Sequence, residues 1–564
     1  MRVTAAARVR GNGREVPVKS QAGPYQVLDK SRVGLVKSRA DPNQVPGKSQ
    51  LSLGEVPVKS QVGPDRVPGG SRASPEQVPV RSQVDLGQVP GESRASLGEI
   101  LGESWQGTPS TTIRQLPMSL ASRHVAVIGA GAAGLVTARE LRREGLSVVV
   151  FEQGDQVGGT WVYTPTVESD PSGLRPIRAT VHTSLYRSLR TNLPRECMGF
   201  RDYPFVSRDD PDRDPRRFPG HREVLMYLKD FASEFGIAEL VRLKTEVVRV
   251  GLVDGSKWKV ISRKSGSDEA GVDEIFDAVV VCNGHFTEPR VAEIPGIGKW
   301  PGKQIHSHNY RVPEPFRDQI VVLIGSSASG VDISRDIASA AKEVHIAART
   351  FVDGTLGKQA GYDNLWLHPM IESVHEDGTV YFLDGNFVLA DVILHCTGYK
   401  YDFPFLEMDG FVTVDDNRVG PLYKHIFPPV LAPWLSFVGL PWKVIPFPMF
   451  ELQSKWIAGV LSDRLMLPSQ QEIMEDVEAF YSSLEVSGTP KRYTHKMGDY
   501  QFEYNNWLAS QCGCPADKEW RKEMFYSSSK NRYARPESYR DEWEDHQWLL
   551  QAHEDFMEYT SNRV

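Results

Sequence analysis

The chain has 564 residues, 40% of them hydrophobic and 24% charged, which is typical of a globular protein with two or three domains. Its formal net charge of −7 argues against nucleic acid as a partner, and the absence of any apolar run of about 18 residues argues against a membrane span. The five cysteines contain no C-x-x-C pair, so no metal site or disulfide scaffold is indicated and a reducing, cytoplasmic location is favoured.

Residues 1–117 form a low-complexity extension. From Glu55 onward, segments such as EVPVKSQVGPD and RVPGGSRASPE repeat with a period of 11, each with proline at its third position. Proline breaks helices and the repeats offer little to bury, so we expect residues 1–117 to be disordered. The Arg-rich, acid-free first 14 residues leave an organelle transit peptide as an alternative, and translation could equally start at Met118.

The first predicted strand, HVAVIGA, runs into a G-x-G-x-x-G pattern formed by Gly129, Gly131 and Gly134. Apolar residues then recur at helical spacing at Ala132, Leu135, Ala138 and Leu141. Such a strand, turn and helix bind a pyrophosphate at the helix N-terminus. Gly129 permits the tight turn, Gly131 lets the backbone approach the phosphate, and Gly134 lets the helix pack on the strand.

The next predicted strand, SVVVFE, ends on Glu152, 23 residues after Gly129. A carboxylate at this place accepts hydrogen bonds from ribose hydroxyls and disfavours a 2′-phosphate, so the turn should bind FAD or NAD. Downstream, the backbone at Gly159, one of a glycine pair, could lie beside a flavin without a side-chain clash. Trp161 could pack against the flavin ring. The alternative for this stretch is a plain glycine turn followed by a core tryptophan.

A second unit of the same design begins with the strand IVVLIG, which leads into Gly325, Ser327 and Gly330. Ser327 replaces the middle glycine, which makes the match looser. The helix GVDISRDIASAA follows, and the positions expected to be buried in it are Val331, Ile333, Ile337 and Ala340.

The second unit ends on a different charge. The strand EVHIAART places Arg349, followed by Thr350, where the first unit has Glu152. A guanidinium there suits the 2′-phosphate of NADPH, although a surface arginine at a strand end is the alternative. The two units together predict an α/β protein with two Rossmann-like domains that binds FAD and NADPH and passes hydride from nicotinamide to flavin.

Disulfide reductases that use the same two cofactors place a close cysteine pair against the flavin. Here Cys512 and Cys514 form C-G-C far downstream, and Cys197, Cys282 and Cys396 are isolated. We therefore expect core packing for the isolated cysteines and no dithiol relay.

The segment KWPGKQIHSHNYR places Trp300, Gly302, His306 and Tyr310 in the order [F/W]-x-G-x-x-x-H-x-x-x-Y. This resembles the fingerprint of flavin-containing monooxygenases, with Trp300 in place of the usual Phe. TNLPRE, NGHFTEP and HCTGY are further matches. SLYRSLRTNLPRECMGFRDYPF and FPMFELQSKWIAGVL look like the plant glucosinolate S-oxygenase-like branch. Auxin-forming relatives, which act on a 2-oxo acid, usually keep a glycine where this chain has GSSASG, and they are the alternative.

The resemblance implies a reaction in which O₂ adds to NADPH-reduced FAD and gives a C4a-hydroperoxide. A small-molecule thioether, or less favourably an amine, then attacks the distal oxygen. By the same resemblance Asn192 in TNLPRE is the catalytic residue, its amide donating to the peroxide oxygen, whereas the alternative is an asparagine that caps the Pro194 turn. His306 is interpreted as positional and Gln453 as structural. The alternative function is that of an NADPH oxidase or flavin reductase that releases H₂O₂.

The resemblance also implies the domain order. The FAD-binding domain is expected to consist of residues 122–290 and 398–564, the latter with the C-terminal helices, and the NADPH-binding domain of residues 291–397 between them. CTGY would mark the return crossing. The apolar region 433–461 contains prolines and charges, which predicts core packing and pocket lining rather than a membrane anchor. A homodimer is compatible with this arrangement.

Overall fold

The computed structural model describes residues 122–173, 178–253, 257–351, 354–407 and 410–561. The chain divides into the units Met1–Ser110 and Thr111–Val564, and every described residue belongs to the second unit. The disordered extension expected for residues 1–117 therefore lies outside the described residues.

The described part of the chain mixes strands and helices. The strands are β1 (His124–Ile128), β2 (Ser147–Phe151), β3 (Val241–Arg242), β4 (Thr245–Val253), β5 (Lys257–Lys264), β6 (Val272–Phe276), β7 (Ala278–Val281), β8 (Glu288–Pro289), β9 (Lys303–His306), β10 (Ile320–Ile324), β11 (Glu343–Ala348), β12 (Gly357–Lys358), β13 (Leu365–Pro369), β14 (Ile371–Val374), β15 (Thr379–Phe382), β16 (Phe387–Leu389), β17 (Val392–His395), β18 (Tyr399–Lys400), β19 (Thr413–Asp415), β20 (Arg418–Gly420) and β21 (Leu435–Phe437). The helices are α1 (Ala132–Arg143), α2 (Arg195–Met198), α3 (His221–Glu234), α4 (Ala328–Ala338), α5 (Pro446–Leu461), α6 (Gln470–Val486), α7 (Tyr500–Cys512), α8 (Glu519–Ala534) and α9 (His546–Ser561).

Two parallel sheets organise the described residues. The first sheet has the order β21-β7-β1-β2-β3, and all of its neighbouring strands are parallel. The second has the order β12-β13-β11-β10-β17-β9 and is parallel except for the short edge strand β12. The described chain is therefore an α/β protein, as the alternation of strand and helix patterns predicted.

Both faces of each sheet are buried. Val125 and Val127 of β1 enter one hydrophobic core, whereas Ala126 and Ile128 enter another. The residues of β10 alternate between two cores in the same way. Because successive strand residues point to opposite faces, burial on both sides explains why these strands are apolar without interruption.

The chain leaves the first sheet after β7, builds the second sheet, and returns to the first with β21 beside β7. The outgoing strand β8 and the returning strand β18 pair with each other, with Pro289 opposite Tyr399. The backbone N–H of Arg290 also donates to the carbonyl of Gly398, 3.0 Å away. The two crossings of the chain are therefore fastened together.

Helix α1 is buried more completely than its apolar spacing indicated. All four expected positions are buried, but Arg139 and Glu140 are buried too. Helix α5 packs along α1 and covers the side that would otherwise face water. Arg139 keeps partners there, since its guanidinium lies 2.6 Å from both the Glu140 and the Asp202 carboxylates.

Helix α4 shows the opposite difference. Ile333 and Ile337 are buried as expected, whereas Val331 and Ala340 are only half-buried. Val331 lies in the first turn of α4 and Ala340 lies beyond the last helical residue, so neither faces the sheet fully.

The region 433–461 forms strand β21 and helix α5, which contributes most of its side chains to the core. No helix in the described ranges is long and apolar enough to cross a bilayer. Cys197, Cys282 and Cys396 are buried free thiols, which confirms their expected core packing.

We expect Gly134→Ala and Gly330→Ala each to lower the urea midpoint of unfolding. At both positions a Cβ would lie 1.8 Å from a backbone carbonyl oxygen, and overpacking of this kind costs about 1–3 kcal/mol. Gly298 is the matched control, since an added Cβ there meets nothing within 4 Å. Unfolding followed by circular dichroism should leave Gly298→Ala near the parent protein; unchanged midpoints in all three variants would contradict the close packing.

Candidate functional site

The first glycine-rich turn brings β1, α1 and the end of β7 into close contact. Gly129 has a φ of +103°, and a Cβ there would lie 2.6 Å from the carbonyl oxygen of Cys282. A Cβ on Gly134 would lie 1.8 Å from the carbonyl oxygen of Gly129. Gly131 is the N-cap of α1 and provides no side-chain hydrogen bond. The first N–H groups of α1 therefore have no side-chain cap and can receive a phosphate.

The glycine pair after β2 lies directly against this turn. A Cβ on Gly159, whose φ is +55°, would lie 2.8 Å from the Cα of Gly131. The N–H of Gly158 donates to the carbonyl of Ala130 at 2.9 Å. Trp161, two residues after Gly159, is half-buried and packs against the neighbouring core. The structure thus brings Gly131 and Gly159 together, with Trp161 beside them.

Glu152 follows β2 and turns back to the first glycine-rich turn. Its Oε2 accepts a hydrogen bond from the N–H of Ala130 at 2.8 Å, and its Oε1 accepts one from the N–H of Gly154 at 2.7 Å. Burial raises the pKa of Glu152, and the two N–H groups oppose that shift. The carboxylate is thereby held beside the turn.

The second glycine-rich turn has nearly the same geometry. Gly325 has a φ of +107°, and a Cβ there would lie 2.7 Å from the carbonyl oxygen of Cys396. A Cβ on Gly330 would lie 1.8 Å from the carbonyl oxygen of Gly325. Ser327 is the N-cap of α4 and, like Gly131, makes no capping hydrogen bond. Both helices thus begin with uncapped N–H groups at the carboxyl edge of a parallel sheet.

A lysine from the returning part of the chain reaches the second turn. Lys443 Nζ donates to Ser327 Oγ at 3.2 Å. Burial lowers the pKa of Lys443, and repulsion from Arg532 and Lys496 adds to the effect. Within the described residues none of these three cations pairs with a carboxylate. Lys443 therefore places a cation at the positive end of the α4 dipole, where an anion is favoured.

The residues that follow β11 carry the charge that distinguishes the second glycine-rich turn from the first. Arg349 and Thr350 follow β11 and are both exposed. No carboxylate of the described residues pairs with the Arg349 guanidinium. The Arg349 side chain thus lies exposed beyond the carboxyl end of β11.

Asn192 lies in the loop before α2 and is exposed. The N-cap of α2 is Pro194, and Asn192 provides no capping hydrogen bond to that helix. The preceding backbone is fixed, since the N–H of Thr191 donates to the Pro219 carbonyl and Arg540 Nε donates to the Thr191 carbonyl, both at 2.9 Å. The amide of Asn192 is thus presented to solvent on a held backbone.

His306 joins the outgoing and returning crossings. Its Nε2 lies 3.0 Å from the carbonyl oxygen of Gly398, and its Nδ1 accepts the N–H of His308 at 3.1 Å. Burial lowers the pKa of His306 to about 3, with His308 and His395 adding to the effect. The imidazole is therefore neutral near pH 7 and acts as a structural link.

Gln453 also has a structural role in the described residues. It is fully buried on α5, where its Oε1 accepts the N–H of Gly439 and its Nε2 donates to the Tyr504 hydroxyl, both at 3.0 Å. The amide holds the segment after β21 in place.

Sequence reasoning missed two polar residues near the turns. Lys443 lies in PWKV, which carries no recognisable spacing, and only the fold brings it to Ser327. His285 follows β7, and its Nε2 is buried without a hydrogen-bond partner among the described residues. Burial lowers the pKa of His285 to about 4, so the ring is neutral.

These residues fit two dinucleotides. Each turn has a cradle that a Cβ would fill, uncapped helix N–H groups, and one charged residue at the end of its second strand. The charges are opposite, with Glu152 at the first cradle and Arg349 at the second. The unpartnered His285 Nε2 adds a polar atom that a bound group could satisfy.

Comparison with known proteins gives one family. The profile of the flavin-binding monooxygenase-like family matches residues 122–362 and 362–513. Flavin-containing monooxygenase FMO GS-OX-like 3 of Arabidopsis thaliana is 64% identical over 442 residues, which cover 78% of this chain and 98% of that protein. FMO GS-OX5 of the same plant is 60% identical, covering 77% and 95%.

Solved structures agree with these relatives. S-allyl-L-cysteine S-oxygenase from Allium sativum has 63% sequence identity and a TM-score of 0.76, and the match covers 78% of this chain and 100% of that one. Tmm from Pelagibacter sp. strain HTCC7211 has 27% identity and a TM-score of 0.62, covering 74% and 93%.

We expect the protein to lose stability as the pH falls from 6.5 towards 4. Burial lowers the pKa of several histidines in the folded state to between about 3 and 4: His285, His306, His345, His395 and His425. The unfolded chain takes up protons near its ordinary pKa of 6.5, which the folded chain does not.

Thermal unfolding measured across this pH range checks the sign. His306→Gln keeps a donor for Gly398 but does not titrate, so its pH slope should fall by up to about one proton. His546→Gln removes an exposed imidazole and should keep the parent slope. Equal slopes in all three proteins would show that His306 is not a buried neutral group.

Proposed function

This chain belongs to the flavin-binding monooxygenase-like family, and from that premise we propose that it uses NADPH and O₂ to add one oxygen atom to the sulfur of a thioether. It is a flavin-containing monooxygenase, and its cofactors are FAD and NADPH. The observation that carries the proposal is the pair of turns that share a backbone geometry and differ in charge. Similarity to S-allyl-L-cysteine S-oxygenase supports sulfur as the atom oxidised, with an amine nitrogen as the second choice.

FAD is assigned to the first cradle. Its pyrophosphate would lie at the N-terminus of α1 beside Gly131, where a side chain larger than hydrogen would obstruct the backbone approach. Glu152, already turned towards the Ala130 N–H, would accept hydrogen bonds from the adenosine ribose. Gly159 packs on Gly131, so the flavin could pass over this glycine contact with Trp161 at its side.

NADPH is assigned to the second cradle. Gly325 and Gly330 would hold the turn and helix as their counterparts do in the first, and Ser327 would lie nearest the pyrophosphate. Arg349 would contact the 2′-phosphate through charge-assisted hydrogen bonds, with the Thr350 hydroxyl as a further donor. The positive charge would also favour NADPH over NADH.

The domain order follows from this assignment. Residues 122–290 and 398–564 would form the FAD-binding domain, since β7 and β21 are neighbours in the first sheet. Residues 291–397 would form the NADPH-binding domain around the second sheet. The paired crossings β8 and β18 would connect the two.

The reaction needs little acid–base chemistry from the protein. When bound, FAD takes a hydride from NADPH and, with O₂, supplies the oxygen atom that is transferred. The balance is thioether, O₂, NADPH and a proton giving sulfoxide, NADP⁺ and water. The sulfur is itself the nucleophile, so no general base is required. Asn192 would donate its exposed amide N–H to the oxygen that is left behind when the sulfur takes the other one, because a hydrogen bond there stabilises the negative charge that develops.

Product stoichiometry tests the proposed function. With S-allyl-L-cysteine as the probe, we expect about one sulfoxide per NADPH oxidised and little H₂O₂, because oxygen transfer competes with peroxide release. A tertiary amine tested in parallel distinguishes nitrogen from sulfur oxygenation. Equal amounts of H₂O₂ and oxidised NADPH with every substrate would make the protein an oxidase and overturn the proposal.

Separate substitutions should distinguish the two phosphate contacts of NADPH. Arg349→Ala should weaken NADP⁺ by about 10-fold or more, equivalent to ~1.4 kcal/mol, and leave NAD⁺ unchanged because only the 2′-phosphate is affected. Lys443→Gln should weaken both nucleotides alike, since the pyrophosphate beside Ser327 is common to them. Dissociation constants measured by calorimetry check both results.

Lys342→Gln is the control for loss of a single positive charge, since Lys342 is exposed near the start of β11. It should bind both nucleotides as the parent does. If Arg349→Ala weakens NAD⁺ as much as NADP⁺, Arg349 does not read the 2′-phosphate. If Lys443→Gln binds both normally, Lys443 does not contact the pyrophosphate.

A further inference from the structure

Helix α4 starts at the second glycine-rich turn and carries two carboxylates on one face. Asp332 and Asp336 are four residues apart, so they lie one above the other on the helix surface. The Asp332 carboxylate accepts from the Tyr186 hydroxyl at 3.4 Å. The Asp336 carboxylate accepts from Ser188 Oγ at 2.7 Å and from the Tyr310 hydroxyl at 2.6 Å. The segment that leads to Asn192 is therefore attached to α4.

Arg540 completes this attachment from the far end of the chain. Its NH2 lies 2.5 Å from Asp332 Oδ2, and its Nε donates to the Thr191 carbonyl at 2.9 Å. Thr191 is the residue directly before Asn192. A single guanidinium thus joins α4 to the backbone on which the Asn192 amide is carried.

The residues next to Arg540 strengthen the same connection. Asp541 pairs with the Arg190 guanidinium at 2.7 Å, so two successive residues contact the two residues just before Asn192. On the α4 side, Arg335 contacts Glu537 at 2.8 Å. The segment 537–541, which lies between α8 and α9, therefore bridges the second cradle and the Asn192 loop at four points.

The central ion pair is shielded from water. The side chains of Arg540 and Asp332 are only 16% and 18% exposed. The Arg540 guanidinium also lies over the ring of Tyr539, with its carbon 4.7 Å from the ring centroid. Truncating either partner would leave the other charge poorly solvated, so both side chains are needed to maintain this contact.

We propose that Arg540 is a positioning residue that fixes Asn192 relative to the NADPH cradle and so couples NADPH oxidation to oxygen transfer. The inference rests on the proposed function for the role of Asn192, but the structural link itself does not. Arg540 contacts the Thr191 backbone and Asp332; it acts through Asn192 rather than on the substrate.

Four variants test the link: Arg540→Met, Arg540→Lys, Asp332→Asn and the double variant Arg540→Met with Asp332→Asn. The matched control is Arg535→Met, which removes the same charge from the same part of the chain. Arg535 pairs with Glu544 at 3.1 Å, also between α8 and α9, and among the described residues it forms no ion pair with α4.

The first measurement is the fraction of oxidised NADPH recovered as H₂O₂, with S-allyl-L-cysteine present. We expect Arg540→Met and Asp332→Asn to raise this fraction by about 5-fold or more, while KM for NADPH stays within about 2-fold, because the cradle itself is intact. The double variant should resemble Arg540→Met, since that change already removes the contacts of Arg540 with both Asp332 and Thr191. Arg540→Lys keeps the charge and should recover part of the coupling.

The second measurement needs no turnover. Amide hydrogen exchange of the peptide spanning residues 186–193 should be faster in Arg540→Met and Asp332→Asn than in the parent or in Arg535→Met. If the parent yields H₂O₂ but no sulfoxide, the proposed function is wrong, and the exchange data still decide whether Arg540 holds the loop. If folded Arg540→Met and Asp332→Asn match Arg535→Met in both exchange and peroxide fraction, the positioning role is wrong. Should Arg540→Met fail to fold, Asp332→Asn alone gives the same decision.

Discussion

The architecture depends on how closely a helix can approach the strand that precedes it. At both glycine-rich turns the space that a Cβ of Gly134 or Gly330 would need is occupied by a backbone carbonyl at 1.8 Å. This approach places the helix N-terminus at the carboxyl edge of each sheet. Cys282 and Cys396 complete the contact from the neighbouring strand, and in both cases their Cβ would lie 3.5 Å from the added atom. Glycine is therefore required at Gly134 and Gly330, and the proposed position of each phosphate follows from that packing.

Because the two glycine-rich turns have nearly the same backbone geometry, the side chains around them would determine which cofactor each turn binds. Glu152 is held by two backbone N–H groups, so an acceptor is oriented before any ligand arrives. Arg349 is exposed and without a carboxylate partner in the described ranges, which suits a phosphate that enters from solvent. Lys443 reaches the second turn from a segment that follows the first sheet's last strand. The chain that builds one cradle thus contributes charge to the other.

The local parts of this arrangement could be predicted from the sequence because they depend on neighbouring residues. Gly129 and Glu152 belong to one strand, turn, helix and strand, and the spacing alone places them. Arg540 and Asp332 are 208 residues apart, and Arg540 and Thr191 are 349 apart. No periodic pattern in the sequence indicates which charged residues, far apart along the chain, lie in contact in the fold. The buried Arg139 was missed for the same reason, since apolar spacing on α1 says nothing about α5, which covers the opposite side.

His306 shows how burial and hydrogen bonding together determine which type of residue a position requires. The Gly398 carbonyl can only accept, so Nε2 of His306 must carry the hydrogen, while Nδ1 must be free to accept the His308 N–H. Only a neutral imidazole has one donor and one acceptor in this fixed orientation, and protonation would remove the acceptor. The burial that lowers the His306 pKa to about 3 therefore maintains the bonding pattern rather than preparing a proton transfer. Protonation would leave the Nε2 bond to Gly398 on the returning crossing intact, but it would deprive the His308 N–H on the outgoing side of its acceptor.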